Sequence, residues 1–228
     1  MTGEDITAAE LAALIDHAVL RAETTREQLT EACRQAARWK PASVCVRPCD
    51  VAAAVELLGG SGVAVSTVVA FPHGSSAPDV KAAEARLAVA DGADELDMVV
   101  NVGLLCDERL DEVRDDIAAV VAAAEGRTVK VILECCLLNR SQKVAGCRAA
   151  FEAAADFVKT STGFASGGAT ADDVRLLREC VGEAMGVKAA GGVRTLDDCL
   201  NMLNAGASRL GTSRTFEILA AIEPGEHE

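Results

Sequence analysis

The sequence predicts an α/β fold: a single (β/α)8 TIM barrel over residues 1–228, with an additional helix at the N-terminus. Three observations lead to this prediction. Short segments rich in β-branched residues alternate along the chain with alanine-rich segments of helical period. Most helical segments are followed by a glycine at the point where a helix ends. Eight strand–helix units fit this length, and strands that alternate with helices pair in parallel.

Each strand and helix of this barrel has a recognisable segment. Eight segments have the composition of strands: LIDHAVL, SVCVRP, VAVSTVVAF, ELDMVVNVG, TVKVILEC, DFVKTST, GVKAAGG and SRLGTS. Amphipathic segments between them include REQLTEACRQAARW, PDVKAAEARLAVADG, DEVRDDIAAVVAAAEG and TLDDCLNMLNAGA. An open doubly wound sheet is the alternative arrangement, but no GxGxxG follows the first strand.

Composition and charge limit the class of protein. A hydrophobic content of 50% and a mean hydropathy of +0.21 are sufficient for a large core. The net charge of -13 disfavours nucleic acid and anionic membranes as partners. No segment approaches the roughly 20 apolar residues of a membrane span, and the N-terminus lacks a signal-peptide pattern. We therefore expect a soluble, cytoplasmic protein.

The nine cysteines and three histidines lack the spacing of a zinc site. Cys45 and Cys49 are four residues apart, Cys135 and Cys136 are adjacent, and the other cysteines are scattered. A disulfide scaffold is usually short and rich in loops, whereas this chain is large and rich in helices. We therefore expect small buried apolar side chains at these positions, and no metal.

Charged residues inside the predicted strands are the strongest functional signal. Alternate side chains of a barrel strand face the barrel axis. In LDMVVN, Leu96, Met98 and Val100 suit the layer between the barrel and the helices. The alternation then directs these residues inward: Asp97, Val99 and Asn101 of LDMVVN, Lys159 and Ser161 of FVKTST, and Lys188 of GVKAAGG.

Two lysines and one aspartate are therefore expected to converge inside the barrel. For a single Lys–Asp pair, a purely structural ion pair is the favoured interpretation. A second lysine leaves one ammonium poorly compensated, and both burial and the neighbouring positive charge lower its pKa. A neutral lysine amine attacks a carbonyl to form a Schiff base, and Asp97 can move the protons. This combination indicates a class I aldolase.

Lys130, in TVKVILEC, is a third lysine of this kind. It lies at the start of its strand, hence at the bottom of the barrel, and we expect a structural role for it. Glu134 has the same parity. It is a candidate partner for Lys130, or a member of the polar network near the mouth.

Small residues end the last two strands, in AAGGVRT at 189–195 and GTSRT at 211–215. Glycines let backbone N–H groups approach an anion, and the loops after strands 7 and 8 are the usual phosphate site of such barrels. Plain loops are the alternative interpretation. We expect a phosphorylated substrate to be bound by these residues, with Gly163 nearby: Gly191, Gly192, Gly211 and Ser213.

The motifs of this chain occur in a recognisable order: LIDHAVL, SVCVRP, VVAFPHG, GADELDMVVNVG, VKVILE, FVKTSTGF with GGAT, VKAAGGVRT and GASRLGTS. In this order they resemble the deoxyribose-phosphate aldolase family over nearly the whole chain. The resemblance implies the Schiff-base lysine at Lys159, a second catalytic lysine at Lys188 and a proton-relaying aspartate at Asp97. We also expect Asp16 and Thr162 to contact the substrate or its phosphate.

The resemblance implies a reaction as well. Such enzymes reversibly cleave 2-deoxy-D-ribose 5-phosphate to D-glyceraldehyde 3-phosphate and acetaldehyde, without metal or organic cofactor. The expected partners are these small molecules and further copies of the chain, in a dimer or tetramer. The alternatives are another Schiff-base aldolase or lyase acting on a short phosphorylated sugar, and a non-catalytic sugar-phosphate-binding barrel.

Several positions depart from the family pattern. Ala18, Arg21 and Arg47 stand where threonine, lysine and asparagine are usual, and Arg214 stands where a second serine often follows GTS. The chain contains no tyrosine, so a step assisted by a C-terminal tyrosine in some members is absent here or is performed by water. Cys45 matches a cysteine near the family's active site, and we expect it to be a packing residue.

Overall fold

The structure is a computed structural model that describes residues 6–222, and its centre is a closed barrel of eight parallel strands. The strands are β1 (Ile15–Val19), β2 (Ser43–Val46), β3 (Ala64–Val69), β4 (Glu95–Val99), β5 (Thr128–Ile132), β6 (Phe157–Lys159), β7 (Gly186–Ala190) and β8 (Arg209–Thr212). Strands that follow one another in the chain are neighbours in the barrel, and β8 pairs with β1 to close it. The predicted fold is confirmed. The predicted domain of 1–228 also includes residues 1–5 and 223–228, which lie outside the described residues.

Ten α-helices occur within residues 6–222. They are α1 (Ala8–Ala12), α2 (Arg26–Trp39), α3 (Val51–Leu58), α4 (Pro78–Ala90), α5 (Val102–Cys106), α6 (Leu110–Ala123), α7 (Arg140–Glu152), α8 (Ala171–Val181), α9 (Leu196–Asn204) and α10 (Thr215–Ala220). The first of these precedes β1 and is the predicted additional N-terminal helix. Short 3-10 turns at Pro48–Asp50 and Cys135–Leu137 follow β2 and β5.

Local sequence signals set the bounds of the helices. Capping boxes begin α1, α2, α7 and α9. For α2, the Thr25 hydroxyl accepts from the Gln28 N–H and the Gln28 side chain accepts from the Thr25 N–H. This helix ends at Trp39, the last residue of the predicted segment, and Lys40 follows with a left-handed φ of 55°. A residue in this conformation stops the helix and satisfies a terminal carbonyl.

The apolar core lies between the barrel and the helices. Leu96, Met98 and Val100 are fully buried in this layer, as the alternation in β4 predicts. The strands are shorter than the predicted segments, and β6 ends at Lys159 although DFVKTST extends to Thr162. The polar side chains at the mouth of the barrel form their own hydrogen bonds there, so the regular alternation does not continue into the loops.

A buried ion pair joins α4 to α6 outside the barrel. Lys81 Nζ lies 2.5 Å from Asp116 Oδ2 and donates a hydrogen bond to the carbonyl oxygen of Val99 at 3.0 Å. Burial lowers the pKa of Lys81 and raises the pKa of Asp116, and the pairing opposes both shifts. Because Val99 is the last residue of β4, the pair fixes the end of the strand that carries Asp97.

We predict that Asp116→Asn lowers the free energy of unfolding by about 3–5 kcal/mol, because it leaves the Lys81 ammonium buried without a counter-charge. Urea unfolding measures the loss. The matched control is Asp115→Asn on the same helix, since Asp115 pairs with Arg114 at the surface and its side chain is 69% exposed. The control should unfold like the wild type, and equal losses in the two variants would contradict the prediction.

Candidate active site

Seven charged side chains form a layer inside the barrel. The anions lie on β1 and β4, and the cations lie on the four strands from β5 to β8: Asp16, Glu95 and Asp97, then Lys130, Lys159, Lys188 and Arg209. The most exposed of these side chains, that of Arg209, is only 17% exposed. Glu95 and Arg209 are not among the residues predicted from the sequence. Each lies two residues before an inward-facing residue of its strand, so the same alternation would have identified both.

The carboxylate of Asp97 is shared by three lysines. Lys130 Nζ lies 2.8 Å from Oδ1, whereas Lys159 Nζ and Lys188 Nζ lie 2.6 and 2.7 Å from Oδ2. The two predicted lysines and the predicted aspartate are therefore in direct contact. Burial favours the neutral acid, but the three ammonium groups outweigh burial and hold the pKa of Asp97 well below its usual range. Asp97 is accordingly a carboxylate at neutral pH.

Two of the lysines have further anionic partners. Lys130 Nζ lies 2.6 Å from Glu95 and 3.5 Å from Asp16, in addition to its contact with Asp97. Lys188 Nζ lies 2.5 Å from Asp16. Burial opposes the charged form of both lysines, but their carboxylate partners outweigh it and raise both pKa values. Both side chains are therefore firmly held as cations.

Lys159 is the least compensated cation of the layer. It is 3% exposed, and Asp97 is its only ion-pair partner within residues 6–222. Burial lowers the pKa of Lys159, and the positive charge of Lys188 lowers it further, although Asp97 opposes both effects. The neutral amine, which is the nucleophilic form, therefore forms more readily at Lys159 than at an exposed lysine.

The charge balance of the layer also favours the neutral amine of Lys159. With every group ionised, the layer contains four cations and three carboxylates. A neutral amine at Lys159 leaves three cations facing three carboxylates. Since an uncompensated charge is costly in a buried site, loss of the Lys159 proton relieves the surplus.

Asp16, predicted to contact substrate or phosphate, lies in this charged layer. Its carboxylate accepts hydrogen bonds from Ser43 Oγ at 2.8 Å and from Arg209 at 2.7 Å, and it pairs with the two lysines that carry raised pKa values. The side chain is 1% exposed. These contacts support an electrostatic role for Asp16 beside Lys188, and its contact with substrate or phosphate stays a prediction.

Glu134 binds Thr162, so of its two predicted roles the structure shows the one in the polar network near the mouth and not the pair with Lys130. The Glu134 carboxylate accepts from the Thr162 N–H at 3.3 Å and from the Thr162 hydroxyl. The Thr162 hydroxyl in turn accepts from the Phe164 N–H at 3.0 Å. Both polar groups of Thr162 that could bind a phosphate are therefore used within the protein. These contacts support a role for Thr162 in holding the loop after β6, and its contact with the substrate stays a prediction.

Asn101 caps a helix and does not face the barrel axis as predicted. Its side-chain oxygen accepts from the Leu104 N–H at 3.2 Å at the start of α5. The prediction failed because β4 ends at Val99, so the strand alternation does not extend to position 101.

Three of the predicted phosphate-binding glycines lie in the loops that follow β6 and β7. A Cβ on Gly191 would lie 3.4 Å from the Cα of Gly163, so the two loops touch. Gly191 and Gly192 have φ values of 84° and 83°, which glycine adopts without steric cost. These loops therefore leave backbone groups close together at the carboxyl ends of the strands.

The other two predicted residues belong to β8 and its end. Gly211 lies within the strand, where a Cβ would come within 3.2 Å of Lys188 Cε. Its lack of a side chain therefore makes room for that lysine. Ser213 and Arg214 follow the strand and are exposed at the mouth.

Two contacts at the mouth of the barrel involve loops, one made by Arg47 and one between two phenylalanines. Arg47 donates to the carbonyl oxygens of Ala22 at 2.7 Å and Thr24 at 2.9 Å, so this departure from the family pattern fastens the loop between β1 and α2. Phe71 and Phe164 meet edge to face with their ring centroids 5.1 Å apart. These phenylalanines follow β3 and β6, which are not neighbours, so their contact bridges the mouth.

Cys45 lies in β2 opposite Ala18 of β1 and is 2% exposed. Burial raises the pKa of its thiol, and the charge of Asp97 adds to this effect. The thiol therefore remains protonated at neutral pH, which fits a packing residue.

Comparisons with known proteins point to one family of enzymes. Residues 11–214 match the model of the DeoC/LacD family of aldolases. The deoxyribose-phosphate aldolase of Lysinibacillus sphaericus is 52% identical, with 91% of this chain and 94% of that protein covered. The deoxyribose-phosphate aldolase of Rhodospirillum rubrum is also 52% identical, with 95% and 91% covered.

A solved structure gives the same result. The tetrameric deoxyribose phosphate aldolase of Aeropyrum pernix superposes with a TM-score of 0.90 at 30% identity, covering 97% of this chain and 95% of that chain. Sequence and fold therefore agree over most of the chain, and the chain belongs to the DeoC/LacD family of aldolases.

Proposed function

We propose that this protein is a class I aldolase that reversibly cleaves 2-deoxy-D-ribose 5-phosphate to D-glyceraldehyde 3-phosphate and acetaldehyde. The observation that carries the proposal is Lys159, a buried lysine with one anionic partner among the described residues and a pKa below its usual value. The names of the relatives, which are deoxyribose-phosphate aldolases, support the choice of substrate.

The reaction begins when the neutral Lys159 amine attacks C1 of the open-chain sugar. Loss of water from the carbinolamine gives an iminium ion, which accepts the electron pair of the C2–C3 bond as this bond breaks. The C3 hydroxyl loses its proton and becomes the aldehyde of D-glyceraldehyde 3-phosphate. Protonation of the remaining enamine at C2, followed by hydrolysis, releases acetaldehyde and restores the amine.

Asp97 and Lys188 are the proposed proton carriers. The 2.6 Å contact of Asp97 with Lys159 and its 2.7 Å contact with Lys188 support a relay among the three groups. Lys188 is held as a cation by two carboxylates, and this charge lowers the pKa of Lys159. Water serves the remaining transfers.

The phosphate is proposed to bind at the mouth, at Gly191, Gly192, Gly211 and Ser213, with Gly163 beside them. The positive φ values of Gly191 and Gly192 and the close approach of Gly163 support this site, because a backbone without side chains can come close to an anion. In such barrels, phosphate sites typically lie in the loops after strands 7 and 8.

We further propose that the protein forms a homo-oligomer, a dimer or a tetramer, in the cytoplasm. Val80 and Leu87 on α4 are 55% and 67% exposed, and the Aeropyrum pernix relative is tetrameric. All nine cysteines are free thiols, as is usual in a reducing compartment. The helices within residues 6–222 are too short or too polar for any of them to span a bilayer.

We predict that borohydride, added while the protein turns over 2-deoxy-D-ribose 5-phosphate, reduces the imine and leaves a stable adduct on the peptide that contains Lys159. Peptide mass spectrometry locates the adduct, and Lys159→Arg is the control that should remain unmodified and inactive. An adduct on Lys188 alone would overturn the assignment. Absence of D-glyceraldehyde 3-phosphate among the products would favour an aldolase with another substrate, or a binding protein.

We predict that Lys188→Leu moves the acidic limb of the pH–kcat/KM profile to higher pH. Activity requires the neutral Lys159 amine, so the rate rises as the pH approaches its pKa. Removal of the neighbouring positive charge raises that pKa, and a pKa higher by about one lowers the rate on the acidic limb about tenfold. Lys188→Arg keeps the charge and should keep the position of the limb. An unchanged limb in Lys188→Leu would reject this electrostatic role.

A further inference from the structure

Three consecutive buried hydroxyls follow β6, and they differ in their hydrogen bonding. Thr160 Oγ1 donates to the carbonyl oxygen of Ala190 at 3.2 Å and accepts from the Ala190 N–H at 3.1 Å. The Thr162 hydroxyl donates to Glu134. The Ser161 hydroxyl between them is completely buried and has no hydrogen-bond partner within residues 6–222. One of the three hydroxyls therefore has an unused hydrogen-bonding capacity.

A buried hydroxyl without a partner is uncommon, because its desolvation is not repaid by a hydrogen bond. The flanking threonines show that hydroxyls in this segment do find partners where the protein offers them. An alanine at position 161 would avoid the unfavourable term. The Ser161 hydroxyl is therefore a polar group whose partner is expected to come from a ligand.

The position of Ser161 indicates which part of a ligand it meets. Ser161 follows Lys159 by two residues in the chain, just beyond the end of β6. On its other side is the loop after β7, since a Cβ on Gly191 would lie 3.4 Å from the Ser161 Cβ. Ser161 thus lies between the amine proposed to bind C1 and the loop proposed to bind the phosphate on C5.

We propose that the Ser161 hydroxyl binds the C4 hydroxyl of 2-deoxy-D-ribose 5-phosphate, which is the C2 hydroxyl of D-glyceraldehyde 3-phosphate. This inference rests on the proposed function. The sugar is bound to Lys159 at C1 and held by its phosphate at C5. The carbons between C1 and C5 then lie beside Ser161. The C3 hydroxyl lies beside the breaking bond and loses its proton, so the C4 hydroxyl is the one that remains for Ser161. Ser161 is then a specificity-determining residue for hydroxylated acceptor aldehydes.

The test compares two acceptors with acetaldehyde as donor. D-Glyceraldehyde 3-phosphate carries the C2 hydroxyl, and 3-oxopropyl phosphate has the same aldehyde and phosphate but lacks it. We expect Ser161→Ala to lower kcat/KM for D-glyceraldehyde 3-phosphate by roughly 10- to 100-fold, the effect of losing one hydrogen bond to a substrate hydroxyl. The variant should leave kcat/KM for 3-oxopropyl phosphate within about twofold, because the contact is absent there.

Matched variants separate recognition from structure. Thr160→Val removes a neighbouring hydroxyl whose partners lie within the protein, so it should lower the melting temperature and keep the wild-type preference between the two acceptors. Ser161→Cys replaces the hydroxyl with a weaker hydrogen-bonding group of similar shape, and its preference should lie between those of the wild type and Ser161→Ala. If Ser161→Ala fails to fold, Ser161→Cys provides the same comparison.

The outcomes distinguish this inference from the proposed function. Equal losses for both acceptors in Ser161→Ala, or no change for either, would overturn the role of Ser161. Borohydride trapping of acetaldehyde on Lys159 should persist in Ser161→Ala, because the trapped aldehyde lacks the hydroxyl. Failure of trapping in the wild type would instead overturn the proposed function.

Discussion

A single buried carboxylate, that of Asp97, binds three lysine side chains inside the barrel. The site depends on this contact because the three lysines differ in the number of other carboxylates that they contact. Lys130 and Lys188 have additional carboxylate partners, whereas Lys159 has Asp97 alone within the described residues. The same interaction thus holds two lysines as cations and leaves the third as the group that gives up its proton at lowest cost.

This arrangement reconciles stability with reactivity. A buried ion pair is weak evidence for catalysis, since networks of this kind commonly compensate themselves. Here, compensation is complete only when Lys159 is neutral, so the electrostatics that stabilise the interior also favour the nucleophile. The polar side chains at the mouth of the barrel also differ in role. Glu134 and Thr162 hold a loop together, while the Ser161 hydroxyl has no hydrogen-bond partner among the described residues.

The barrel and the convergence of Asp97 with two lysines follow from strand periodicity, because side-chain direction depends on the local backbone alone. What periodicity cannot supply is how far each strand extends. Strand alternation predicts an inward Asn101, but β4 ends at Val99 and Asn101 caps a helix. Nor does parity give the stagger of one strand against another. This stagger brings Lys130 to Asp97 and Asp16 to Lys188, although the sequence analysis placed Lys130 apart from the site.

The interior charges are divided between the two halves of the chain. All the carboxylates of the layer lie on β1 to β4 and all its cations lie on β5 to β8: Asp16, Glu95 and Asp97 against Lys130, Lys159, Lys188 and Arg209. Neither half-barrel can neutralise its own interior, and two copies of one half would enclose like charges only. The reactive lysine therefore lies in one half of the chain and its counter-charge, Asp97, lies in the other.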